Sequence, residues 1–149
     1  MRAVIQRVKG ASVSVDGCLV SQIGAGLLVL LGVAGGDTEQ DAEYLADKTR
    51  FLRIFPDDAG KMNRDIAEAR GEALVVSQFT LLGDSRKGRR PSFIDASDGE
   101  TGNRLYEYYC RRLAETGLEV KKGIFAAMMD VELVNWGPVT LLLDSRKLF

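Results

Sequence analysis

The chain has 149 residues, 46% hydrophobic and 28% charged, which suits one domain spanning 1–149 with a single core and excludes a disordered or fibrous protein. Its net charge of −1 removes any global attraction to polyanions, so nucleic-acid binding has to come from a local cluster of positive charge. The longest apolar run, Leu27 to Ala34, is far short of a membrane span, and no signal-like segment opens the chain, so a cytoplasmic protein without a membrane partner is expected.

Val4 to Val8 and Ala11 to Val15 predict two short strands, and Asp16-Gly17 is a tight-turn signal leading into Cys18 to Ile23, so a hairpin is expected. Leu27 to Ala34 is almost wholly apolar between glycines, the pattern of a central strand buried on both faces. Thr38, with Asp41 three residues on, resembles a capping box and opens a helix to about Arg53, with Ala42, Leu45 and Leu52 on one stripe. Phe55 to Gly60 has loop chemistry, and Ala73 to Phe79 returns as a buried strand. A second helix from about Glu100 to Thr116 gathers Leu105, Tyr109 and Leu113 on one face, with Gly117 as C-cap. Val131 and Leu133 then alternate with Asp130 and Glu132 as a half-exposed strand, which Trp136-Gly137-Pro138 breaks before a last strand from Val139 to Leu143. No repeat and no βαβ alternation are read. The expected fold is α/β, a single domain with a mixed, curled, partly closed barrel-like sheet and two packed helices.

Two segments put polar, backbone-exposing residues at the end of an apolar run: Ser77-Gln78-Phe79-Thr80-Leu81 and Asn135-Trp136-Gly137-Pro138-Val139-Thr140. Ser77 and Thr80 carry hydroxyls to a pocket edge, although both residue types are also common in turns. The chain contains no histidine, which removes the usual proton shuttle, the commonest metal ligand and the usual base for a nucleophile. The pattern therefore favours backbone N–H groups of Phe79 and Thr80 holding a developing oxyanion over attack by a bare Thr80 hydroxyl. Cys18 and Cys110 form no metal motif, so no metal or other cofactor is expected and both are read as buried thiols. Arg86, Lys87, Arg89 and Arg90 lie within five residues, opposed nearby by Asp84, and read as a solvated loop or as a grip on phosphates. Phe93 or Phe125 has the chemistry to stack an unpaired base or to pack the core. Gly137-Pro138 reads by itself as a trans turn, and Arg7 as a surface strand residue.

These two segments occur with Arg89-Arg90-Pro91-Ser92-Phe93, Gly123-Ile124-Phe125-Ala126-Ala127-Met128, the opening Val4-Ile5-Gln6-Arg7-Val8, the stretch Gly24 to Val33, Arg53-Ile54-Phe55 and Gly60-Lys61-Met62-Asn63. Together, in this order and along nearly the whole chain, they closely resemble the D-aminoacyl-tRNA deacylases. The resemblance implies an editing hydrolase that cuts D-aminoacyl-tRNA and mischarged glycyl-tRNA to free amino acid and tRNA. It implies RNA-assisted catalysis at Ser77-Gln78-Phe79-Thr80, in which the ribose 2′-hydroxyl assists attack by water. It further implies a homodimer whose Gly137-Pro138 loop, with a cis peptide and flanked by Asn135, crosses into the partner's pocket and excludes L side chains, with Arg7 locking that loop across the interface. Trp136 stands where the family motif usually has aspartate. A related lineage that tolerates small L-amino acids carries Pro-Gln-Ala-Thr in place of Ser-Gln-Phe-Thr. The alternative from another class is a nucleic-acid-binding module without turnover.

Overall fold

In the computed structural model, which describes residues 1–115 and 117–149, the N-terminal segment forms one strand where two were expected: β1 spans Arg2–Val15. The gap read at Lys9-Gly10 is where β1 changes partners. It pairs antiparallel with β3 (Gly26–Gly32) over its first half and with β2 (Cys18–Ile23) over its second, while β8 (Asp130–Asp144) runs beside nearly all of it. Register shifts on either side of Val8 mark the bend, a usual place for a strand glycine.

The other pairs of the main sheet are parallel: β6 (Glu72–Ser77) lies beside β3, and β7 (Val120–Lys122) beside β6. Helix α1 (Glu39–Phe51) falls in the crossover from β3 to β6, and α2 (Gly99–Ala114) in that from β6 to β7, so two βαβ units exist where no alternation was read. The signal was masked for two reasons. The strand β7 is only Val-Lys-Lys, and the first crossover also holds a small hairpin, β4 (Phe55–Pro56) with β5 (Met62–Arg64), whose first strand falls in the Phe55–Gly60 segment read as loop.

The sheet runs β2-β1-β3-β6-β7 with β8 also on β1, and its two ends approach each other. The Ser21 hydroxyl donates to Lys122 O and the Lys121 ammonium to Gln22 O, each at 2.8 Å. This near-closure is the barrel-like curl. Because side chains alternate along a strand, β3 and β6 bury both faces. Ile5, Leu27, Val29, Ala73 and Val75 meet the helices through Leu45, Leu105 and Tyr109, while Val8, Val13, Leu28, Leu74 and Val76 fill the inside of the curl.

Both helices start on side-chain caps. Thr38 and Asp41 form the capping box, with Thr38 N–H donating to Asp41 Oδ2 at 2.8 Å, and Asp98 accepts from Thr101 N–H at 2.8 Å. Helix α2 ends at Ala114; Thr116, read as its last residue, lies outside the described residues, and Gly117 at φ +82° donates to Ala114 O. Cys110 is buried on α2, which pushes its thiol up to about 12, but Cys18 is exposed at the start of edge strand β2, contrary to expectation. Neighbouring Leu19 is exposed with it, whereas Ser21 and Gln22 further along β2 meet β7. Among the described residues no helix is long and apolar enough to cross a membrane.

Candidate active site

Strand β6 stops at Ser77, opposite Leu31, and Gln78 N–H makes one more sheet-like bond to Leu31 O at 2.8 Å. The chain then turns at once into a 3-10 helix, Phe79–Leu82, two residues before the strand was expected to end. The first bond of this turn runs from Leu81 N–H to Gln78 O at 3.3 Å, and Gly83 N–H closes it onto Thr80 O at 3.0 Å. The N–H groups of Phe79 and Thr80 come ahead of that ladder, as leading donors of a helical turn do. The Gln78 side-chain amide donates to Thr80 Oγ1.

Ser77, Gln78, Phe79 and Thr80 all line one cavity of about 650 Å³, together with Phe125 to Met129 and the start of α2. Among the described residues Asp98 is the one charged residue of the lining, and the bond from Thr101 N–H holds its carboxyl below the ordinary range. A carboxylate stabilised in that way is a weak proton acceptor. Asp98 and Tyr106 were not among the expected site residues. The Asp98-x-x-Thr101 spacing ahead of an apolar stripe is an N-cap signal that marks the first. Tyr106 is buried; its hydroxyl, raised in pKa by desolvation, donates to Val75 O at 2.8 Å, and its ring lies 5.8 Å from that of Phe125. Among the described residues no group of three or more His, Cys, Asp and Glu is placed to hold a metal.

The basic segment is an exposed loop closed at its neck by two backbone bonds between Asp84 and Ser92, each 2.8 Å. Arg86 is clamped onto Asp84, through Nε at 2.9 Å and Nη2 at 2.8 Å, and this draws the Asp84 carboxyl down to about 2. Lys87, Arg89 and Arg90 have no ion-pair partner among the described residues. Phe93, leaving the loop, packs edge-on against Phe79 with centroids 5.1 Å apart. Phe125 lines the cavity and Phe93 does not.

The second motif lies elsewhere on the molecule. Strand β8 is continuous through Trp136-Gly137-Pro138, where a break was expected. Between Gln6 and Val8, two steps on β1 are matched by five on β8, from Thr140 to Asn135, so three residues bulge out of the ladder. A bulge admits proline in a paired strand. The Gly137–Pro138 peptide is cis, not the trans form that sequence statistics favour. Asn135 closes the bulge: its Oδ1 accepts from Val139 N–H at 2.8 Å, and its Nδ2 donates to Val139 O at 3.2 Å and Thr140 Oγ1 at 3.1 Å. Arg7, read as a surface residue, is buried. Its Nε donates to Trp136 O at 2.8 Å, its Nη1 to Ile54 O at 2.5 Å, and its guanidinium sits 4.7 Å over the Trp136 ring. Desolvation there lowers its pKa. Trp136 in turn meets Phe55 edge-on at 6.5 Å, so the tryptophan ties the bulge to the main core by packing. Gly137 has φ +143°, and a Cβ on it would stand 2.8 Å from Val139 Cγ2 and 3.0 Å from Arg7 Nη2. Neither Gly137 nor Pro138 lines the cavity of its own chain.

The family model described as D-Tyr-tRNA(Tyr) deacylase matches residues 4–144. A D-aminoacyl-tRNA deacylase of Anaeromyxobacter dehalogenans is 62% identical over the full length of both chains, and one of Caldicellulosiruptor saccharolyticus is 56% identical, again over the full length of both. The solved structure of a c-Myc DNA Unwinding Element Binding Protein superposes with a TM-score of 0.90 at 40% identity, covering 97% of this chain and 98% of that one. Matches of this extent put the chain in the class of hydrolases that act on aminoacyl-tRNA esters. It belongs to the D-aminoacyl-tRNA deacylase family.

Proposed function

We propose that the chain hydrolyses D-aminoacyl-tRNA, and the mischarged glycyl ester, to free amino acid and tRNA in the cytoplasm, and that it rejects L-aminoacyl esters. The observation that carries the chemistry is a cavity lined by Phe79 and Thr80, the leading residues of the Phe79–Leu82 turn, with no strong base in its lining among the described residues. In this reading water adds to the ester carbonyl, and the oxyanion that forms is received by the Phe79 and Thr80 N–H groups, each such donor contributing on the order of 3 kcal/mol. Collapse of the intermediate expels the ribose 3′-oxygen, which takes up a proton. The neighbouring 2′-hydroxyl assists the proton transfer, so no protein base and no cofactor is called upon. Holding the ester and water in place supplies the rest, about 7 kcal/mol or more in favourable intramolecular cases. Phe125 stacks the terminal adenine, and Lys87, Arg89 and Arg90, with Arg86, take phosphates of the acceptor end.

The chain acts as a homodimer in this reading, and two observations support it. The bulge at Gly137-Pro138 is tied down by Arg7 and Asn135 yet does not line the Ser77–Thr80 cavity of its own chain. Val4 is paired with Leu30 on one side and Leu142 on the other, and none of the three is fully buried, so an apolar row across β3, β1 and β8 is left without a cover. A two-fold axis sets such a patch on itself, and one loop per subunit then completes two equivalent sites. Backbone carbonyls of the partner's loop exclude an L side chain; thousandfold discrimination requires a difference of only about 4 kcal/mol.

The test measures release of amino acid from D- and L-tyrosyl-tRNA by the purified protein, with its mass in solution determined by sedimentation. Turnover of the D ester alone by a dimer is expected. Thr80→Ala should retain measurable turnover, and tRNA ending in a 2′-deoxyribose should be a poor substrate. Equal rates on both enantiomers, or an acyl-enzyme trapped on Thr80, would refute the reading, and binding of tRNA without release would favour a nucleic-acid-binding module.

A further inference from the structure

The Phe79–Leu82 turn is bracketed by a single ring. Phe93 meets the Phe79 side chain at the start of the turn, and at its end it lies against Gly83, where a Cβ would stand only 2.9 Å from Phe93 Cε1. Gly83 is the residue whose N–H closes the turn onto Thr80 O. Phe93 also follows directly on Ser92, which with Asp84 forms the neck of the basic loop. Phe79 is 58% exposed and Phe93 38%, so the pair stands at the surface beside the cavity mouth. The contacts of Phe93 with Phe79 and with Gly83 therefore join the far side of the loop that carries the cations to both ends of the turn.

We propose that Phe93 is a positioning residue, which passes the seating of acceptor-end phosphates on Lys87, Arg89 and Arg90 to the oxyanion turn, so that a full tRNA ester is turned over faster than a short one. The inference rests on the deacylase reading above. The neck is held by backbone bonds and Arg86 by Asp84, while among the described residues the other three cations have no ion-pair partner. Phosphates seated on them fix the loop, and through Ser92 and Phe93 they fix the Phe79 ring and the N–H groups behind it. Binding energy from a part of the substrate remote from the ester is thereby used for alignment at the reacting carbon, and it appears in kcat as well as in KM.

The experiment compares kcat and KM on D-tyrosyl-tRNA and on 3′-O-D-tyrosyl-adenosine for the wild type, Phe93→Ala and Phe93→Leu. With Phe93→Ala, kcat on the tRNA ester should fall about tenfold, a usual size for coupling between two sites, while kcat on the short ester changes by less than about twofold. Phe93→Leu should recover part of the loss, because an apolar branched side chain still fills the space between Phe79 and Gly83. Added salt should lower the wild-type kcat on tRNA as phosphate contacts are released, and should leave that of Phe93→Ala unchanged. Equal losses of kcat on both esters, no loss on either, or a change confined to KM would each overturn the proposal and leave the deacylase reading standing. No release from either ester by the wild type would overturn that reading, and the proposal with it.

Discussion

Replacing Arg7 by methionine removes the group that holds the Gly137-Pro138 bulge, and its effect follows from three contacts. The guanidinium donates to the carbonyls of Trp136 and Ile54, which belong to different segments, and stacks on the Trp136 ring. A hydrogen bond with one charged partner contributes about 1.5–3 kcal/mol net, and a partly desolvated cation–π contact about 0.5–2 kcal/mol. The guanidinium is buried, which costs it solvation, and removing it returns part of that sum. A net loss of roughly 3 kcal/mol is expected once that return is set against the two charge-assisted hydrogen bonds and the ring contact. Arg7→Lys should recover less than half, because one ammonium lacks the forked geometry needed to reach both carbonyls. Urea unfolding gives the stability, and D- and L-tyrosyl-tRNA rates give the selectivity, which should fall as the bulge loosens. A stability within about 0.5 kcal/mol of the wild type, the range of an ordinary surface change, would refute the reasoning.

Gly137→Ala forces a Cβ onto Val139 and Arg7 at a backbone angle that disfavours it; a loss of about 1–3 kcal/mol in stability is expected, with lower deacylation of every substrate, and an unchanged melting profile would contradict it. Neutralising two of Lys87, Arg89 and Arg90 should raise KM for tRNA and flatten the log–log salt slope by roughly 1.4–1.8, with little effect on aminoacyl-adenosine; equal losses on both would point to misfolding instead. The Asp84 carboxyl, drawn down to about 2 by Arg86, is a depressed acid, so its contribution is complete above the unfolded value of about 3.9 and is lost as pH falls through the folded one. The clamp should therefore be unchanged at neutral pH and open between about pH 4 and pH 2, which NMR titration of Asp84 reads directly; a midpoint at the ordinary value would count against the clamp.

Local chemistry was legible wherever neighbours in sequence decide the outcome. The Thr38–Asp41 capping box is present as read, because both partners lie within one turn of helix. The buried stripe of α2 and the doubly buried β3 follow from periodicity alone. The Ser77-Gln78-Phe79-Thr80 motif was placed at a strand end, and the strand ends there because Gln78 makes the last sheet-like bond. Segments whose state depends on a distant partner were misread. Lys9-Gly10 looks like a gap until β8 runs past it, and Trp136-Gly137-Pro138 looks like a strand break until Asn135 and Arg7 are seen to hold it as a bulge.

The sequence by itself determined the single α/β domain, the helix caps, the lack of a histidine base and the residues gathered at each motif. Those properties depend on composition, period 2 or 3.6, and contacts only a few residues apart. Only the tertiary structure decided the parallel pairing of β3, β6 and β7, the burial of Arg7, the exposure of Cys18 and the separation of the Gly137-Pro138 bulge from its own chain's cavity. Each depends on which faces of distant strands end up opposed. Arg7 shares its face of β1 with buried Ala3 and Ile5, and a charged group is accommodated there because Trp136 and Ile54, from segments far along the chain, present two carbonyls that its guanidinium satisfies.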